Sequence, residues 1–132
     1  MIKRLTLSVI LLLAFAVSGR SKSEVSDLDS WYQAYNATLF NNELPHQITI
    51  SHDLSDPRFM AVTDYDFAGR YYKISLNPKY EPSPKQGRAT LLHEMCHLRQ
   101  LVSGEVEFQD HGAKWQSCMH DLANKNAFED IW

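Results

Sequence analysis

The chain has 132 residues, 44% hydrophobic and 22% charged, which suits a single globular domain with its own core and argues against wholesale disorder. Its formal net charge is −3, and no Lys/Arg run follows the first few residues. That balance argues against a polyanion-binding surface built on bulk charge, so there is no strong nucleic-acid signal.

The N-terminus has the three parts of an export signal: a basic start at Lys3 and Arg4, an apolar run from Leu5 to Val17, and small residues at Ala16 and Ser18. The run is shorter than the roughly 20 residues a membrane span needs. A signal peptide over 1–19 is therefore predicted, with an uncleaved anchor as the alternative. The expected location is extracytoplasmic, periplasmic or secreted, with no stable membrane span after cleavage. No cysteine follows the run to accept a lipid.

Residues 20–26 are predicted to be a polar linker and 27–132 the domain. A helix capped by Ser26 or Asp27 is expected to carry Leu28, Trp31, Tyr32, Tyr35 and Leu39 as its apolar stripe. Asn41, Asn42 and Pro45 end it. Alternation predicts strands at Gln47–Ser51, Phe59–Thr63 and Arg70–Leu76, with a hairpin over Asp64–Gly69 in which Gly69 supplies the permissive backbone. Their short connections predict a mostly antiparallel three-stranded sheet. Three prolines make Pro78–Gln86 a loop. The next helix, Gly87–Val102, is apolar nearly all round and is therefore buried, stopping at Ser103-Gly104. After a connection over Glu105–His111, Asp110 is expected to cap a last helix from about Gly112 to Asn124. The residues beyond it show no clear period. The fold class is α+β. Cys96 and Cys118 are too few for a disulfide scaffold and are read as two buried thiols, one bridge being the alternative.

The buried helix contains the chemistry. Ala89–His97 reads ATLLHEMCH, so His93 and His97 lie one turn apart on one face and can reach a single metal ion. Glu94 lies beside them, placed to accept a proton from water. A catalytic zinc takes three protein ligands. His111 is the choice for the third, with Glu105 and Glu107 as rivals and His120 as a weaker one. Gln100 and Ser103 occupy the positions where the HExxHxxGxxH pattern has glycine and histidine, which disfavours that class. His46 and His52 are read as solvated surface residues.

The aromatic helix leading into LFNNELP (Leu39–Pro45), the strands ITIS (Ile48–Ser51) and ISLNP (Ile74–Pro78), LLHEMCHL (Leu91–Leu98) and HGAKWQSCM (His111–Met119) follow one another in a recognisable order. Together they resemble the SprT-like zinc metallopeptidase domain, the group that includes the Spartan proteases. The resemblance implies a minimal zincin-like fold and a zinc held by His93, His97 and the histidine of the HGxxW segment, His111. Many members carry a DNA-directed region after this domain, whereas this sequence ends at Trp132. With the export signal, that directs the expectation away from DNA-bound substrates.

The expected function is thus an exported zinc metalloendopeptidase, a monomer, acting on a protein or peptide substrate with Glu94 as general base. Tyr72, Arg99 and His120 are the candidates for an additional oxyanion donor. The alternative is a metal-dependent protein-interaction module of the same fold without turnover. An intact Glu94 favours the enzyme.

Overall fold

The computed structural model describes residues 20–131, with side chains from Leu28 onward. The predicted signal segment lies outside the described residues. In chain order the elements are α1 (Arg20–Leu39), β1 (Ile48–Ser51), β2 (Ala61–Asp66), β3 (Tyr71–Leu76), α2 (Pro84–Ser103) and α3 (Ala113–Asn124). A 3-10 turn over Pro78–Tyr80 leads from β3 towards α2. Over the described residues the architecture is α+β, three helices and one three-stranded sheet. Among the described residues, no helix is long and apolar enough to cross a membrane.

The first helix begins at Arg20, so its backbone already runs through the predicted linker, and neither Ser26 nor Asp27 serves as its start. No Gly or Pro interrupts residues 20–39, and nothing local stops the helix from extending backwards. Leu28, Tyr32 and Tyr35 are buried, as the stripe requires, while Trp31 stays partly exposed under the Arg88 guanidinium, 4.5 Å from its ring centre. The turn after α1 is held from inside. Asn36 is fully buried; its Nδ2 donates to the Leu44 carbonyl at 2.9 Å and its Oδ1 accepts from the Leu44 amide at 3.1 Å. Asn41 and Asn42 take positive φ values of 53° and 58°, which asparagine tolerates better than most residues. The LFNNEL stretch is therefore a clamp between α1 and the sheet.

The sheet order is β1-β3-β2, with β1 parallel to β3 and β2 antiparallel to it. The expected mostly antiparallel sheet is corrected here. Short connections force antiparallel pairing only between strands that are neighbours, and β3 has inserted between β1 and β2. Its buried Ile74 and Leu76 explain the central position, since a middle strand is covered more completely than an edge. β2 also starts later than predicted, leaving Phe59 and Met60 half exposed before it. Asp64 on β2 is opposite Lys73 on β3. In the hairpin, the left-handed residue is Arg70 (φ 57°) rather than Gly69, whose amide instead donates to Asp66 Oδ1 at 2.9 Å.

α2 is longer than predicted because Pro84 occupies its first turn, where a missing N–H costs nothing, and Ser83 Oγ accepts from the Gln86 amide. Gly104 ends it with φ 71°. Leu91, Leu92, Met95, Cys96 and Leu98 are fully buried against the sheet, α1 and α3. α3 begins at Ala113, and its N-cap is Gly112, not Asp110.

The two cysteines are bridged, not free: Cys96 on α2 joins Cys118 on α3 with Cα atoms 5.8 Å apart. Both were correctly expected to be buried. The bridge arises because Cys96 faces α3 and Cys118 lies on the inner side of that helix, a juxtaposition invisible in sequence spacing. A cross-link closing this loop stabilises the domain by about 3 kcal/mol on chain-entropy grounds. Cys118→Ser should lower the unfolding free energy by that order, measured by urea titration. Thiol titration of the denatured, unreduced protein should find no free thiol; finding two would remove the bridge.

Candidate metal centre

The helical repeat of α2 projects His93 and His97 from successive turns into one cleft, and the loop before α3 brings His111 to meet them. His93 Nε2 lies 3.2 Å from His97 Nε2 and 3.1 Å from His111 Nε2. Two nitrogens bound to a tetrahedral zinc at its usual bond length sit roughly 3.3 Å apart. The three imidazoles therefore have the spacing of a shared ion, and the group could hold a metal. Among the described residues no other such group of His, Cys, Asp or Glu occurs.

The electrostatics suit that use. Burial, reinforced by the positive charge of His97 and His111, pushes the His93 imidazole down to about 4. Burial also lowers His97, against the pull of the Asp110 carboxylate. Neutral imidazoles with free lone pairs are what a metal needs. Asp110 is exposed and stands 3.8 Å from His97 Nδ1 and 3.7 Å from His111 Nε2, so it contributes negative charge to the site at long range.

Glu94 is turned the other way, into the sheet side of the cleft. Its Oε2 accepts a 2.6 Å hydrogen bond from the Thr63 hydroxyl on β2, and its Oε1 is 3.9 Å from His93 Nε2. Burial raises its carboxyl to about 7, the Asp110 charge adding to this and the Thr63 bond opposing it. A carboxyl poised near neutral pH can both accept and return a proton. Trp115 packs against the three imidazoles. Its ring centre lies 4.7, 5.6 and 4.4 Å from those of His93, His97 and His111, and its indole N–H donates to the His93 carbonyl at 3.3 Å. The three histidines, Glu94 and Thr63 line a cleft of about 660 Å³ that runs along Phe59–Thr63 on one side and the loop before α3 on the other.

Thus His93, Glu94, His97 and His111 are brought together. The rival ligands are not part of the histidine cluster: Glu105 pairs with Lys114 Nζ at 3.3 Å, Glu107 lines the same cleft but accepts from the Lys114 amide, and His120 is exposed. None of Tyr72, Arg99 and His120 lines the cleft. Tyr72 packs edge-on against Tyr65, and Arg99 lies near Glu43. His52, expected on the surface, is partly buried and pairs with Glu81 at 3.1 Å. Thr63 was missed because nothing local marks it. Only the pairing of β2 beneath α2 brings it to Glu94. Trp115 was quoted as part of a motif, and its packing on three imidazoles was not foreseeable from spacing.

With this geometry in hand, comparison with known proteins is informative. The model of the SprT-like family matches residues 28–130. A curated relative, the germ cell nuclear acidic protein of Drosophila melanogaster, is 34% identical over 86 residues, 64% of this chain. The chain spans only 8% of that relative's length. No solved structure matches. The extracytoplasmic location expected from the apolar N-terminus is corrected by this relative, a nuclear protein by name, and no signal peptide is shown in the described residues. The apolar run was a compositional pattern, and its three parts alone did not establish export.

The raised carboxyl of Glu94 has a consequence for stability. Against an ordinary value of 4.5, a folded value of about 7 costs nothing below pH 4.5; the penalty builds between pH 4.5 and 7 and is complete above that. Glu94→Gln should therefore stabilise the metal-free protein by up to about 3 kcal/mol at pH 8 and hardly at all at pH 4. Thermal unfolding in chelator at the two pH values checks this. Equal shifts at both would contradict the burial argument.

Proposed function

This chain belongs to the SprT-like family, and on that premise we propose that it is a zinc-dependent metallopeptidase that hydrolyses peptide bonds in protein or peptide substrates. His93, His97 and His111 are the residues that would hold the zinc, and their mutual spacing fits it. A zinc ion there supplies a Lewis acid that polarises the substrate carbonyl and acidifies water.

The chain's own part centres on Glu94, which acts as general base on the attacking water and then delivers that proton to the leaving nitrogen. Thr63 fixes the rotamer of Glu94 through its 2.6 Å bond to Oε2, leaving Oε1 towards His93. Burial keeps bulk water from levelling its basicity. The substrate lies extended along β2, an edge strand of the sheet whose leading residues line the cleft, so its backbone can pair as an added strand.

The observation that carries this reading is a buried carboxyl held beside three converging imidazoles in one open cleft. A module that only bound metal would have no use for such a base. Wild type and Glu94→Gln are compared on a denatured protein substrate with added zinc. The variant should bind zinc and lose roughly 10²–10⁴-fold in turnover. Equal activity in the two would sink the mechanism.

A further inference from the structure

The three imidazoles are not equally secured. His93 and His97 are fixed by the backbone of a buried helix, but His111 sits on a loop and its side chain is 48% exposed. Its position is set by where α3 begins. That beginning lacks an ordinary cap, because the N-cap is Gly112 and has no side chain to satisfy the first-turn amides.

Glu107 fills the gap. Its Oε1 accepts from the Lys114 amide at 3.1 Å, in the first turn of α3, where a negative charge also opposes the positive end of the helix dipole. Among residues 102–111, Glu107 alone is not exposed, although it is charged and lies in a loop. The inward turn is explained by this docking. A second observation concerns Gly112 itself. A Cβ at that position would fall on Glu107 Oε2 and within 2.9 Å of its Cδ. Yet the backbone there, φ −72° and ψ −171°, is open to any residue. A side chain after His111 would thus displace the carboxylate, although the backbone conformation itself would accept one.

We propose that Glu107 is a positioning residue for the metal centre: its carboxylate, seated on Gly112 and the Lys114 amide, pins the start of α3 and so holds His111 at the distance that completes the three-histidine site. Two further contacts act at the same place. The Gln116 side-chain Nε2 donates to the His111 carbonyl at 2.9 Å, and the Gly112 backbone amide donates to the Gln109 carbonyl at 3.2 Å. Glu107 is the charged member of this set and the one that reaches back across the loop. Groups that orient a ligand in this way typically affect metal affinity by 10–100-fold.

The proposal rests on the reading of His111 as a zinc ligand, and the experiment separates the two. Zinc affinity is measured by competition with a chromophoric chelator, and the fold of each metal-free variant is checked by circular dichroism. Glu107→Ala should weaken zinc binding about 10-fold with the metal-free spectrum retained. Gly112→Ala should do the same, because the added methyl evicts the carboxylate, and the double variant should be no weaker than either single. Glu107→Gln keeps an acceptor for the Lys114 amide and should recover most of the affinity, and Glu105→Ala should match wild type. Unchanged affinity in Glu107→Ala, multiplied losses in the double variant, or a glutamine variant as weak as alanine would each overturn the positioning role. Wild-type affinity in His111→Ala would instead remove the zinc-ligand reading beneath it.

Discussion

A buried helix that must carry polar groups is the constraint on which the rest of this structure depends. α2 is enclosed by the sheet, α1 and α3, and yet it holds His93, Glu94 and His97 along its length. A polar side chain taken from water without a partner costs a few kcal/mol, so each of these groups must be met by something the surrounding elements supply. Each neighbouring element answers one of them. β2 brings the Thr63 hydroxyl to Glu94, α3 brings the Trp115 ring over the imidazoles and its N–H to the His93 carbonyl, and the loop before α3 brings His111.

The same enclosure sets the chemistry. Burial lowers His93 and raises Glu94, moving a base and an acid towards neutrality together in one cleft. Oppositely directed shifts in adjacent residues arise here from a single cause, since low polarity disfavours the charged form of each. The cleft opens between Phe59–Thr63 and the loop before α3, so the burial that tunes these groups does not seal them from a substrate. The Cys96–Cys118 bridge adds a covalent tie between the two helices flanking that opening, one carrying two of the imidazoles and the other following directly after the third.

Much of the site was legible because helix geometry is local. The four-residue spacing of His93 and His97 places them on one face whatever surrounds them, and the apolar run around them announces burial. His111 was legible more weakly, through its place after a helix stop and through the family resemblance, and Glu105 and Glu107 could not be separated from it by spacing alone. Glu107 was a candidate ligand on composition and is an amide acceptor in the fold, a difference that depends on which way a loop side chain turns. The export reading failed for the opposite reason: it was local and self-consistent, but it rested on composition alone, and the nuclear relative overturns it.

The sequence by itself determined the helices, the apolar faces that become the core, and the pairing of two histidines with a glutamate, because these follow from periodicities of a few residues. Only the tertiary structure decided that β3 lies between β1 and β2, that Cys96 meets Cys118, and that Thr63 meets Glu94. Those contacts join residues 22 or more positions apart, or strands out of sequence order, and depend on how whole elements pack. No residue spacing encodes that packing, since the same local pattern is compatible with several arrangements of its neighbours. In the ATLLHEMCH helix the two kinds of information meet: the helical repeat aligns its polar groups, and the surrounding elements determine what those groups can do.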